Sequence, residues 1–151
     1  MGALLNEIFD SKSILLNLDG KSKETIFSEL IGAIAAVHPG CDEAAMLEAL
    51  WERENKMSTG IASGIAIPHT ICREINGIIG AIGISKDGID YDALDEKPVY
   101  VIFMMIMGEH VREKHLRTLN HIFRLVKSDA LELMRNAKNV QEINSILAGF
   151  Y

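Results

Sequence analysis

Hydrophobic residues recur with a helical period in the first third of the chain. After a short apolar run over residues 14–18, Asp19-Gly20 marks a turn and Ser22 is a favourable helix N-cap. The apolar positions that follow recur every three or four residues: Ile26, Phe27, Leu30, Ile31, Ile34 and Val37. A second helix, capped by Asp42, carries Met46, Leu47, Leu50 and Trp51 on one side. The pattern predicts a strand followed by two amphipathic helices.

Two uninterrupted apolar runs, residues 77–84 and 99–107, occupy the middle of the chain. Because neither alternates with polar residues, both are typical of strands covered on two faces. A helix is predicted over residues 112–126, Ser128 is a candidate cap for a short helix, and Asn139-x-x-Glu142 is typical of a capping box. Helices interleaved with buried strands indicate an α/β fold, a single-domain sandwich with a central mixed β-sheet flanked by helices. The 151 residues fit one domain, spanning residues 1–151.

The charge balance is acidic, with 15 Lys and Arg against 21 Asp and Glu and a net charge of −6. This argues against nucleic acid as a partner and is compatible with a partner protein that presents a basic face. The longest apolar stretch has nine residues, too few for a membrane-spanning helix, and Glu7 and Asp10 are untypical of a signal peptide. Cys41 and Cys72 have no paired metal-binding spacing. We expect a cytoplasmic protein with no direct membrane insertion.

The segment from Ser58 to Pro68 is rich in glycine and small residues, and it ends at His69. Glycines such as Gly60 and Gly64 allow backbone N–H groups to approach a bound anion closely. At pH 7 an ordinary histidine is mostly neutral, so one of its ring nitrogens is free to act as a nucleophile. The same pattern also fits a histidine with a structural role only, one that caps a turn after a strand.

Two of the remaining histidines, His115 and His121, fall in one predicted helix. In the predicted helix over 112–126, the apolar stripe comprises Leu116, Leu119, Ile122, Phe123 and Val126. Its centre lies about 30–40° from His115, which is therefore predicted to point inward, whereas His121 is predicted to be solvated. A core histidine without chemistry fits His115 equally well. His115 and His121 are about 240° apart, so they cannot chelate a metal from one helix, and no metal site is expected.

Two further candidates remain open from the residues alone. Cys72 follows His69 by three positions, so a Cys–His nucleophilic pair is conceivable, but no third orienting group is evident. Arg53, near the end of the second helix, fits either a surface residue or an anion-binding group.

Three segments together resemble a known family. They are LEALWERENKMSTGIASGIAIPHT, GIDYDALDEKPVYVIFMMI and HLRTLNHIFRLV, and they occur in the expected order. The chain, from about Ile8 to Leu147, resembles the type 2 enzyme IIA domains of the bacterial phosphoenolpyruvate–sugar phosphotransferase system. This is the fructose–mannitol family, which includes the nitrogen-regulatory IIA proteins. The resemblance implies an α/β sandwich with a mixed sheet.

The resemblance also implies roles for individual residues. His69 stands at the place of the phosphorylated histidine, His115 at that of the second active-site histidine, and Arg53 at that of the arginine facing the phosphoryl group. The implied phosphate loop comprises Ser58, Thr59, Gly60, Ser63 and Gly64. Ser63 departs from the family, which commonly has asparagine there.

The function implied is that of a phosphotransferase component, a carrier that uses no metal or other cofactor. It would accept a phosphoryl group on His69 from an HPr-type phosphocarrier protein and pass it to a IIB component. The alternative is a regulatory protein of the same family, whose phosphorylation state controls the binding of a regulated protein and not sugar uptake.

Overall fold

The computed structural model describes residues 4–149 as helices packed on both faces of one sheet. The elements, in chain order, are α1 (Leu4–Ile8), β1 (Phe9–Leu15), α2 (Lys23–Val37), α3 (Glu43–Glu54), β2 (Gly60–Ala62), β3 (Ile65–Ala66), β4 (His69–Ile71), β5 (Ile78–Ile89), β6 (Val99–Met107), α4 (Arg112–Val126), α5 (Ala130–Arg135) and α6 (Val140–Ala148). In this part of the chain, no helix has both the length and the apolar character needed to cross a bilayer.

The sheet is mixed, as predicted, with the order β1-β5-β6-β3-β2. β5 and β6 pair antiparallel, whereas β1 pairs parallel with β5, and β3 and β4 both pair parallel with β6. The first strand covers Phe9–Leu15 and so begins five residues before the apolar run that predicted it. Helices cover the two central strands on both faces of the sheet, which explains their continuous apolar sequence.

Side chains of β6 alternate between two hydrophobic cores. Phe103 and Met105 contribute to the core beneath α4, α5 and α6, together with Ile122, Met134 and Leu147. On the opposite face, Ile102, Met104 and Ile106 pack with α2 and α3 in a second core. All of these β6 side chains are fully buried. The alternation fixes which face of the sheet each residue of a neighbouring strand points toward.

Helix α4 is rotated relative to the prediction. Its buried residues are Thr118, His121, Ile122 and Leu125, so the prediction of a solvated His121 is wrong. Thr118 is accommodated in the core because its hydroxyl donates to the Lys114 carbonyl over 2.8 Å. The apolar residues Leu116 and Phe123 remain 56% and 40% exposed. The helix thus has two apolar faces, and the sequence does not show which of them packs on the sheet.

Candidate active site

His69 is positioned by the pairing of β4 with β6. It lies in register with Met105, whose side chain is in the core beneath α4. The next residue, Thr70, points to the opposite face, where its hydroxyl donates to the Ala49 carbonyl of α3 over 3.1 Å. Strand alternation therefore turns the imidazole of His69 toward α4.

The hydrogen bonding of His69 determines which ring nitrogen is free. Nδ1 lies 2.6 Å from the carbonyl oxygen of Ile67. A carbonyl can only accept, so Nδ1 carries the proton and Nε2 keeps its lone pair. Burial lowers the pKa of His69 below its ordinary value, and the nearby Arg53 lowers it further, against the opposing effects of the Ile67 bond and Glu54. His69 is therefore a neutral imidazole at pH 7 with Nε2 as its nucleophilic atom.

His115, in the first turn of α4, lies beside His69. The two ring centroids are 5.3 Å apart and the planes are inclined by 41°. Burial lowers the pKa of His115, and so does its proximity to His69. Among residues 4–149, Nδ1 of His115 has no hydrogen-bond partner and is buried, although the residue as a whole is half-buried. The structure thus brings together the two histidines that the sequence analysis singled out.

Arg53 completes this group from the end of α3. It lines a surface depression of about 360 Å³ together with His69, His115 and Lys56. Its Nη1 atom donates to the Met57 carbonyl over 2.9 Å. The guanidinium is therefore held at the wall of the same depression as both imidazoles, where it provides N–H donors suited to phosphate oxygens.

The predicted phosphate loop is divided in the structure. Ser58 and Thr59 line a second, smaller depression of about 130 Å³, which also adjoins Arg53 and His69. The amide of Thr59 donates to the Glu54 carboxylate over 2.9 Å, and that of Gly60 donates to the Ser58 hydroxyl over 3.1 Å. These two amides are therefore already engaged within the protein. A Cβ atom at Gly60 would lie 2.8 Å from atoms of Tyr91 and Ala93, so close packing explains this glycine.

Ser63 and Gly64 lie at the other end of the β2–β3 hairpin. Their φ angles are +58° and +84°, and they form the two-residue turn between the paired residues Ala62 and Ile65. The Ser63 amide donates to the Asp95 carboxylate over 3.1 Å. Neither residue is among those that line the two depressions at His69. The positive φ angles of this turn explain why a glycine occurs at position 64.

Glu54 is a feature of the site that the sequence analysis missed. It follows Arg53 directly, yet it is only 5% exposed. Its carboxylate accepts hydrogen bonds from the Thr59 amide and hydroxyl, from the Tyr91 hydroxyl and from the Lys23 ammonium. An acidic residue at the end of an amphipathic helix is usually solvated, and the donors from residues 23 and 91 are too distant in sequence to be inferred.

Cys72 is a poor candidate for a nucleophile. Burial raises the pKa of its thiol, and the nearby Glu74 raises it further. A thiol is activated by the opposite environment, one that lowers its pKa. Within residues 4–149, no group of three or more His, Cys, Asp or Glu side chains could hold a metal ion.

Residues 7–149 match the family model described as "Phosphoenolpyruvate-dependent sugar phosphotransferase system, EIIA 2". The chain belongs to this family. It is 33% identical over 127 residues to the fructose-specific EIIABC component of Bacillus subtilis, a match that covers 84% of this chain but 20% of that protein. It is 36% identical to the fructose-specific EIIA component of Haloferax volcanii, covering 71% and 70% of the two chains. A nitrogen regulatory protein of Pseudomonas aeruginosa is 30% identical, with 95% and 94% covered.

Solved EIIA structures have the same fold. The nitrogen regulatory protein IIA-Ntr of Neisseria meningitidis superposes with a TM-score of 0.89 at 28% identity, covering 95% of this chain and 99% of that one. The mannitol enzyme IIA of Escherichia coli, solved in complex with its phosphorylated IIB partner, superposes with a TM-score of 0.72 at 16% identity, covering 91% and 95%. The α/β sandwich predicted from the sequence is confirmed.

Proposed function

We propose that this EIIA protein is a phosphohistidine carrier and that Nε2 of His69 is the atom that carries the phosphoryl group. One observation supports this most strongly. The bond from Nδ1–H of His69 to the Ile67 carbonyl leaves a neutral ring with a free Nε2, in a depression lined by Arg53 and His115. Such a ring is ready to accept a phosphoryl group without first losing a proton.

The reaction transfers one phosphoryl group between two nitrogen atoms. Nε2 of His69 donates its electron pair to phosphorus as the P–N bond of the donor's phosphohistidine breaks, and the donor nitrogen retains the electron pair of that bond. The proton on Nδ1 of His69 stays in place, bonded to Ile67. The product is a positively charged ring bearing a phosphoryl group, and the same step in reverse delivers that group to an acceptor.

Arg53 and His115 stabilise the charge on the phosphoryl oxygens. The transition state is loose, and its equatorial oxygens carry the charge, so positioning and electrostatics provide most of the catalysis. Arg53 provides N–H donors, and a phosphoryl group on His69 raises the pKa of His115, which is 5.3 Å away from ring to ring. His115 then donates a hydrogen bond to the phosphoryl group without carrying it. Ser58 and Thr59 form the adjoining wall.

Two proteins must reach His69 in succession. The donor is an HPr-type phosphocarrier protein and the acceptor a IIB component. The exposed rim is suited to this, because Met57, Ile71, Leu94 and Leu116 are each more than half exposed and contribute apolar contact area near the depressions. The mannitol IIA of E. coli, which shares this fold, forms a complex with phosphorylated IIB.

A regulatory role is the second candidate function. It is favoured by the nitrogen regulatory protein of P. aeruginosa, which matches this chain over almost the full length of both. In this role His69 has the same chemistry, but the phosphorylation state controls the binding of a regulated protein, and the phosphoryl group does not pass to a sugar.

The test is a phosphorylation assay with phosphoenolpyruvate, enzyme I and HPr. Wild-type protein and a His110→Ala control, which loses an exposed histidine, should become labelled, whereas His69→Ala should not. Labelling that persists in His69→Ala would refute the proposal. Purified candidate IIB proteins are then added to the labelled wild type. Rapid onward transfer supports the sugar carrier, and retention of label with every IIB protein favours the regulatory role.

A further inference from the structure

We propose that the buried Glu54 is a positioning residue for His69, which it orients through the Thr59 and Ile67 backbone. This rests on the proposed function of His69. The carboxylate touches neither the His69 ring nor, in the proposed reaction, the phosphoryl group. Its effect passes through a continuous series of hydrogen bonds that begins at its own oxygens and ends at Nδ1 of His69.

The series has three links. Glu54 holds residue 59 from two directions, with Oε2 accepting from the Thr59 amide over 2.9 Å and Oε1 from its hydroxyl over 2.6 Å. The Thr59 carbonyl accepts from the Ile67 amide over 3.0 Å. The Ile67 carbonyl in turn accepts from Nδ1–H of His69 over 2.6 Å. A shift of Thr59 therefore moves the group that selects the tautomer of His69.

The carboxylate is suited to this role because four donors converge on it. Besides the two from Thr59, Lys23 donates over 3.0 Å. The Tyr91 hydroxyl shares its one hydrogen between Oε1, 3.3 Å away, and the Thr59 hydroxyl, 2.8 Å away. The Lys23 ammonium also lies 4.4 Å from the centre of the Tyr91 ring. A glutamine has one acceptor oxygen, and its NH₂ group would face donors, so it cannot satisfy all four. Substitution by glutamine keeps the volume but breaks the first link.

The electrostatic effect of Glu54 has a defined sign at His69. The charged or titratable groups that influence His69 are Arg53 and Glu54 from α3, and His115 faces it from α4. Glu54 favours the protonated ring, and the bond to Ile67 does the same. Losing both effects lowers the pKa of His69. A general loosening of the structure would instead raise the pKa of His69, because burial is the largest cause of its low pKa and solvation of the ring would reduce that effect.

The experiment compares Glu54→Gln with Glu48→Gln, which makes the same change at an exposed position of α3. Two properties are measured: the rate of phosphorylation by phospho-HPr, and the tautomer and pKa of His69 by ¹⁵N NMR titration. We expect Glu54→Gln to be at least about tenfold slower than the control, to lose part of the Nδ1–H tautomer and to show a lower His69 pKa. The proposal would be overturned if the phosphorylation rate, the tautomer and the pKa of His69 were unchanged in Glu54→Gln. It would also be overturned if the variant were slower but its His69 pKa rose toward 6.5.

A second variant is available if Glu54→Gln does not fold. Tyr91→Phe removes the hydroxyl that is shared between the Thr59 hydroxyl and the carboxylate, and it keeps the ring that packs against Phe27. It should change the His69 tautomer and pKa in the same directions by a smaller amount, and no change would overturn the proposal. The NMR readout also separates the two proposals. If HPr does not phosphorylate the wild type, the proposed function fails, whereas the effect of Glu54 on the His69 ring is still measured.

Discussion

Replacing Ser63 by asparagine should stabilise the protein. Ser63 has a φ of +58°, in the left-handed region, and precedes Gly64 in the two-residue turn of the β2–β3 hairpin. L-residues other than asparagine and aspartate rarely adopt this conformation, whereas Asn-Gly is the preferred sequence of such turns. The departure of this chain from the asparagine common in its family thus falls where the backbone favours asparagine.

The size of the effect follows from this preference. Asparagine is enriched several-fold over other non-glycine residues at positive φ, which corresponds to about 0.5–1 kcal/mol because RT is about 0.6 kcal/mol. The main-chain bond from the Ser63 amide to Asp95 does not depend on the side chain and should be retained. For a chain of 151 residues, a gain of this size raises the melting temperature by about 2–3 °C.

The assay is urea denaturation and thermal unfolding of wild type, Ser63→Asn and Ser63→Ala. Alanine is the matched control because it keeps the strained backbone and removes only the hydroxyl. We expect Ser63→Asn to be more stable than wild type and Ser63→Ala to be equal to it or less stable. If Ser63→Asn is no more stable than Ser63→Ala, the reasoning from the backbone angle is refuted.

Four further predictions concern the phosphoryl transfer. Arg53→Lys should slow phosphorylation by phospho-HPr in a rapid-quench assay, because an ammonium cannot reproduce the planar contact of a guanidinium with two oxygens; a wild-type rate would contradict the role of Arg53. His115→Ala should still be labelled on His69 but more slowly, and peptide mapping that finds the label absent would show that His115 is essential. Because burial lowers the pKa of His69, the acceptor ring stays neutral as the pH falls through 6.5. The rate of phosphorylation by a fixed amount of phospho-HPr should therefore stay constant down to this pH and decline only at lower pH. A rate halved at pH 6.5 would contradict this. The net charge of −6 predicts that the second-order rate falls several-fold between roughly 0.01 and 0.3 M salt, and a flat rate would exclude electrostatic attraction to the donor.

Local signals in the sequence predicted much of the fold. The side chain of Ser22 accepts from the Thr25 amide at the start of α2, and that of Asn139 accepts from the Glu142 amide at the start of α6, as their positions indicated. The continuous apolar run over β6 identified a strand covered on both faces. These features depend on neighbouring residues, so one sequence is sufficient to reveal them.

Other parts of the site depend on contacts between distant residues. The rotation of α4 buries His121 and leaves Leu116 exposed, because the sheet selects one of two apolar faces. The buried position of Glu54 depends on Lys23 and Tyr91, which lie 31 and 37 residues away in sequence. The candidate active residues His69, His115 and Arg53 could be named together because of the family resemblance, and the structure shows that they share one depression.

The central claim is that Nε2 of His69 carries the phosphoryl group. It is tested most directly by ¹⁵N and ³¹P NMR of histidine-labelled protein after phosphorylation by phosphoenolpyruvate, enzyme I and HPr. The bond of Nδ1–H to Ile67 predicts one phosphohistidine, at His69, with phosphorus on Nε2 and the proton retained on Nδ1. Phosphorus on Nδ1 of His69, or a stable phosphohistidine at His115, would contradict the account.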